Sequence, residues 1–242
     1  MKRYLALFWL LLPLPLVVLH FSHGQQWMAR DDARALVVRA EAAEKAGDWA
    51  AADQAYREAA ALVGSENPQL KLRLDLAQTR TRFRSGAAVE AIDLSEQLLN
   101  DPALATMPAE FRDEARELSG RIHYFAAWVM RLEGAGRELW MEQAELARQN
   151  YRLLVEHPAK AEAVESRQRD LESAVQLQRL SLTELMGRPL PEEGQCMSNQ
   201  GLSEQMAKRR GQRGKKPGQG PGQKGPPDKG AGLERFQPGA GS

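Results

Sequence analysis

Cysteine is almost absent from this chain: Cys196 stands alone among 242 residues. A lone thiol forms no internal disulfide, and no cysteine pair is present for a structural zinc site. Its Gly- and Glu-rich setting predicts an exposed loop position. Histidine is scarce too, with His20, His23, His123 and His157 the whole complement. None belongs to an HExxH pattern, and neither a Walker phosphate loop nor GxGxxG occurs. "GQRGKKPG" joins glycine to lysine but lacks the strand and helix that give a phosphate loop its chemistry. Glu117 and His123 lie six apart, an imperfect helical spacing for proton transfer, and His157 before Pro158 can simply cap carbonyls at a helix end. The expectation is a chain that is not an enzyme, with no catalytic residue, metal site, cofactor or small-molecule substrate.

Aromatic residues are also few, at 6% against 43% hydrophobic overall. Alanine and leucine supply much of the apolar content, which favours helices over sheets. The formal net charge of +1 conceals a division. Residues 25–206 carry 22 Lys/Arg against 30 Asp/Glu, whereas residues 207–242 carry nine basic residues against Asp228 and Glu234. The two parts call for separate roles.

The N-terminus reads "MKRYLALFWLLLPLPLVVLHFSHGQQW". Lys2 and Arg3 precede an apolar run broken only by Pro13 and Pro15, the arrangement of an export segment. Two readings stand: a signal peptide cleaved after Gly24, or an uncleaved single inner-membrane anchor. Both place the remainder in the periplasm or otherwise outside the cytoplasm. Residues 1–24 are thus assigned to this segment and 25–30 to a linker.

Residues 31–186 read as a helical domain of about seven helices, at 31–46, 49–63, 69–84, 89–99, 109–132, 137–156 and 159–186. In "EKAGDWAAADQAYREAA" a Gly-Asp-Trp interrupts strong helix formers. Leu36, Ala40 and Ala43 make one apolar row before the break; Trp49, Ala52, Tyr56 and Ala59 make another after it. Gly47 ends one helix, Asp48 caps the next, and small alanines let the two antiparallel helices approach closely. Glu110, Asp113, Glu114 and Glu117, interleaved with Arg112, Arg116 and Arg121, predict a solvated, salt-laced helix face.

This first pair resembles a tetratricopeptide repeat, a helix-turn-helix scaffold unit. Gly47, Asp48 and Trp49 match its turn, and Ala40, Ala52, Tyr56 and Ala59 match its packing positions. A second unit keeps Gly86, Ala91 and Leu98 but has Ser95 where an aromatic is expected. Ala147, Tyr151 and Pro158 look like the end of another, behind an overlong helix. The resemblance implies an all-α, degenerate tetratricopeptide-like helical-hairpin solenoid, to which the Gly- and Pro-rich composition of the C-terminus adds a disordered basic tail. The whole arrangement is also similar to small membrane-linked repeat proteins of bacterial Bat/MoxR-associated systems. That likeness implies membership of a cell-envelope protein complex.

Such a stack is expected to act as a protein–protein interaction scaffold. Arg73, Arg80 and Arg84 recur on one helix as candidate partner contacts, beside the alternative that they serve solubility. Tyr124 and Trp128, four apart, are candidates for an exposed anchor or for the core. Residues 187–242 read as a flexible tail, most basic from 207, with too little to bury against the entropy of folding. Lys208, Arg209, Arg210, Arg213, Lys215 and Lys216 give it an alternative role, contact with anionic lipid or an envelope polymer. Nucleic acid is not an expected partner.

Overall fold

The computed structural model describes residues 25–64, 67–187 and 201–213. Nine α-helices are present among them: α1 Gln25–Lys45, α2 Trp49–Val63, α3 Pro68–Arg84, α4 Ala88–Asn100, α5 Ala109–Leu132, α6 Arg137–Glu156, α7 Val164–Arg179, α8 Leu182–Met186 and α9 Leu202–Arg213. Short 3-10 turns at Pro102–Thr106 and Ala161–Ala163 fill two connections. From α1 to α7 each helix packs on the next, so the chain forms an all-α stack of helical hairpins. Contacts between neighbours in sequence dominate, as in a solenoid.

Three hairpins, α1–α2, α3–α4 and α5–α6, turn by the same device. Gly47 sits at φ 76°, with its own N–H bonded to Glu44 C=O and the Asp48 N–H to Ala43 C=O at 2.9 Å. Gly86, at φ 91°, repeats the pattern with Ala87 N–H on Arg82 C=O. These are Schellman closures, whose left-handed residue carries a steric cost for any side chain. The turn at Gly134 has the same hydrogen bonds. Helix starts are equally local in origin. The Asp48 carboxylate accepts the Ala51 N–H at 3.0 Å, and the Asn67 side chain accepts the Leu70 N–H ahead of Pro68. Both satisfy donors that the helix leaves unpaired.

Side-chain size then sets how the hairpins close. Seven residues before each turn glycine lies a small, wholly buried side chain: Ala40, Thr79 and Ala127. Five residues after Gly47 and Gly86 lie Ala52 and Ala91, also wholly buried. The third hairpin has the extra turn residue Gly136, and half-buried Trp140, like Ala52 and Ala91 the fourth residue of its helix, takes the corresponding place. The core of α1–α3 is therefore alanine-rich and thin. A larger core of Leu72, Phe83, Ile92, Ile122 and Met130 joins α3, α4 and α5. Phe83 and Phe125 meet edge to face there at 5.5 Å, worth about 0.5–1.5 kcal/mol beyond the area buried. Further apolar clusters seat α6, α7 and α8 on α5.

Several expectations are corrected. The supposed linker at 25–30 is the start of α1. The helix expected over 159–186 is split: α7 begins after the turn at Ala161–Ala163, and α8 starts afresh at Ser181, whose side chain and that of Glu184 form a capping box. Residues 202–213, assigned to a flexible tail, form α9, which packs against α4, α5 and α6. Two buried apolar side chains, Leu202 and Met206, supply the anchorage that the basic composition obscures. No helix among the described residues is long and apolar enough to cross a membrane. That finding contradicts the expected inner-membrane anchor among the described residues, and the expected signal segment and periplasmic placement gain no support from it. The 1–24 stretch behind them lies outside the described residues, as do Cys196 and the chain beyond 213.

Candidate protein-binding surfaces

The arginine row on α3 comes from its helical register, which brings Arg73, Arg80 and Arg84 to one side. Each meets a neighbouring helix. Arg80 pairs with Glu114 of α5 at 2.6 Å. The Arg84 guanidinium lies 4.9 Å from the Trp49 ring centre, and that of Arg73 lies 5.9 Å from the centre of Phe111. Arg73 and Arg84 nevertheless stay exposed. Trp49 itself is half-buried, so Arg84 covers a ring that the hairpin does not enclose. Nearby on α1, burial pushes the Glu44 carboxyl above its ordinary value against the pull of Arg80 and Arg84. The Tyr56 hydroxyl is pushed up to about 12, first by burial and then by Glu44 and Glu41.

Ala40, Ala52, Tyr56 and Ala59 sit in the α1–α3 core. Trp128 is buried in the core between α5, α6 and α7, with half-buried Tyr124 at 5.8 Å between ring centres. An exposed aromatic anchor is therefore not what these two residues form.

The acidic row of α5 is not uniformly solvated. Asp113 is buried and bonds Arg167 of α7 at 2.7 Å, while accepting the Ala159 N–H at 2.8 Å. Beside it, a cavity of about 280 Å³ is lined by Ala109, Arg112, Asp113, Arg116, Leu153 and His157. Both bonds to Asp113 fall on one carboxylate oxygen, and Arg112, Arg116 and His157 supply the cavity's other polar lining. At the other end of α5, Arg131 donates to the Leu177 and Leu180 carbonyls that close α7, and stacks 4.5 Å over Trp140. A cation at that end complements the helix dipole.

His123 is 2% exposed and within hydrogen-bond distance, 2.7 Å, of the Gln143 side-chain oxygen. Burial holds its imidazole below the ordinary value, opposed by the Gln143 bond and Glu96. A buried, neutral imidazole with no reactive neighbour is a packing residue here. Ser95, Ser119 and Asn150 form a polar row between α4, α5 and α6, with Asn150 donating to the Ser119 hydroxyl at 3.4 Å. Among the described residues, no group of three or more His, Cys, Asp or Glu is arranged to hold a metal ion.

The most fully built surface feature is the groove over α4, α5 and α6 that holds α9. Glu133, where α5 ends, accepts the N–H groups of Gly201, Leu202 and Ser203 at 3.0, 3.1 and 2.7 Å, and the Ser203 hydroxyl at 2.5 Å. One carboxylate thus caps the first turn of a helix 68 or more residues away. Leu202 and Met206 insert into the α3–α5 core. Arg209 pairs with Asp93 and with Glu96 of α4, the latter at 3.0 Å, and Arg210 reaches Glu138 of α6 at 3.4 Å. Lys208 pairs along its own helix with Glu204 at 2.7 Å.

Of the residues assigned to polyanion contact, Arg209 is consequently spent inside the protein. Lys208 and Arg210 stay exposed, Arg213 ends α9, and Lys215 and Lys216 lie outside the described residues. The sequence signal for the groove's occupant was modest: "LSEQM" places two apolar residues four apart just before the basic run. Glu133 carried no signal of its own, because its partners come from remote backbone.

No family model matches this chain, and neither does any curated protein or solved structure.

Proposed function

We propose that this chain is a non-catalytic scaffold that joins proteins, built from degenerate tetratricopeptide-like hairpins. The observation that carries this reading is the groove over α4–α6. It holds an amphipathic helix through two inserted apolar side chains, a carboxylate cap and a set of ion pairs. Recognition of a helix in a groove reuses the same physics between chains. The chemistry-bearing residues support the same reading. His123, Asp113 and Arg131 are committed to packing and helix closure.

Lysine is sparse enough to test this cleanly. Lys45, Lys71, Lys160 and Lys208 lie on the described fold and the remaining lysines beyond α1 lie past residue 213. Amine crosslinking in cells that make the full chain, read by mass spectrometry, should join at least one of those four to a recurring protein. Crosslinks confined to Lys215, Lys216 and later lysines would contradict a binding function for the helical stack.

A further inference from the structure

The first eight residues of α9, "LSEQMAKR", contain a compact recognition pattern. Leu202 and Met206 are 1% and 5% exposed, four residues apart on one face, and Arg209 follows three residues later. Ser203 adds a hydroxyl at the helix start. The receiving groove answers each position: an apolar floor continuous with Ile92 and Ile122, Glu133 at the helix N-terminus, and Asp93 and Glu96 around Arg209. Glu138 extends the acidic rim towards Arg210.

This association differs from the packing of the hairpins. Helices α1 to α7 seal against their sequence neighbours, whereas α9 packs on α4, α5 and α6, far earlier in the chain. Among residues 202–212 only Leu202 and Met206 are buried, and charged groups make most of the other contacts. Two inserted side chains and partly exposed ion pairs are a modest hold, of the size an equivalent helix could match.

We infer that the α4–α6 groove is a receptor for basic amphipathic helices, and that α9 is its resident ligand, displaced when a partner presents the same pattern. The partner helix has apolar residues at positions i and i+4, a small hydroxyl residue at i+1 and arginine at i+7. Its basic C-terminal half matches Asp93, Glu96 and Glu138, and its first amides match Glu133. The inference rests on the scaffold reading and adds to it the partner's chemistry and a competitor within the chain.

The test uses the full chain and a fluorescent peptide of residues 201–213, with binding read by anisotropy. Wild type keeps its groove filled and should bind the peptide weakly. A full-length Leu202→Asp/Met206→Asp variant should bind it at least tenfold more tightly. Adding Glu133→Ala and Asp93→Ala to that variant should lose the gain, and a peptide with both apolar residues replaced by Asp should not bind. Arg209→Glu, which loosens α9 without touching the core, should raise peptide affinity about threefold if the double variant fails to fold by circular dichroism. Equal peptide binding by wild type and by a folded α9-loosened variant overturns the inference. The assay contains only this chain and its own helix. It can therefore fail while crosslinks to a partner persist, and such crosslinks can be lost while it succeeds.

Discussion

Asp113 and Arg167 meet at 2.7 Å across 54 residues of sequence, with side chains only 11% and 8% exposed. The carboxylate also accepts the Ala159 N–H, so one residue of α5 fixes both α7 and the connection before it. Removing one partner strands the other charge in the interior. Asp113→Ala should cost about 3–5 kcal/mol in urea unfolding. Asp113→Leu/Arg167→Met, which removes both charges, should recover most of that loss. A single substitution with no effect would mean that water reaches the pair.

Gly120 of α5 leaves room for the Tyr151 ring of α6. A Cβ built there would stand 2.9 Å from Cε1 of Tyr151, whose ring is 3% exposed. Gly120→Ala gains about 1 kcal/mol of helix propensity, yet overpacking a closed interface costs about 1–3 kcal/mol. Net loss of thermal stability is expected. The same substitution beside Tyr151→Leu should be tolerated better than on its own, giving a measurable coupling in a double-mutant cycle.

Acid should weaken the fold through His123. Burial lowers its pKa in the folded chain below the ordinary value of 6.5, so the unfolded chain takes up the proton first as pH falls. Stability from the neutral imidazole is complete above that value and declines as pH drops through it. Glu145, held down to about 2 chiefly by its Arg148 hydrogen bonds, loses its contribution only below its ordinary carboxylate value of 4.5. Chemical denaturation at pH 7.5 and pH 5.5 should therefore show a drop in wild type and a smaller one in His123→Gln. An identical drop in both would assign the effect elsewhere.

Trp49 contributes less than a fully enclosed ring, which would cost about 3–5 kcal/mol to truncate. Half-buried under Arg84, it should cost about 2 kcal/mol as Trp49→Ala, including roughly 0.5–1 kcal/mol from the cation–π contact. Arg84→Ala should remove only that smaller part. Equilibrium unfolding of the two variants and their combination measures both terms.

The all-α class and the packing of successive helices were legible because their causes are local. Gly47 with Asp48, and Asn67 with Pro68, specify a stop and a start within a few residues. What the sequence concealed depends on distant partners. Asp113 reads as one charge in a solvated row until α7 delivers Arg167. Glu133 reads as an ordinary loop acid until the backbone of 201–203 reaches it. The basic run after 207 suggested a solvated tail, and two apolar side chains, Leu202 and Met206, outweigh that composition for one helix. Leu180 and Ser181 divide a helix whose leucine recurrence, from Leu171 to Leu185, runs on across the break. Tyr124 and Trp128 were ambiguous for a different reason, since helical spacing fixes a common face without saying whether α7 covers it.

The decisive measurement is calorimetric titration of the purified crosslinked partner into the full chain, with the intact mass of both proteins recorded before and after. A non-catalytic scaffold gives saturable binding, a negative heat-capacity change from apolar burial, and unchanged masses. Absence of saturable heat, or a covalent change in the partner that requires this chain, would contradict it.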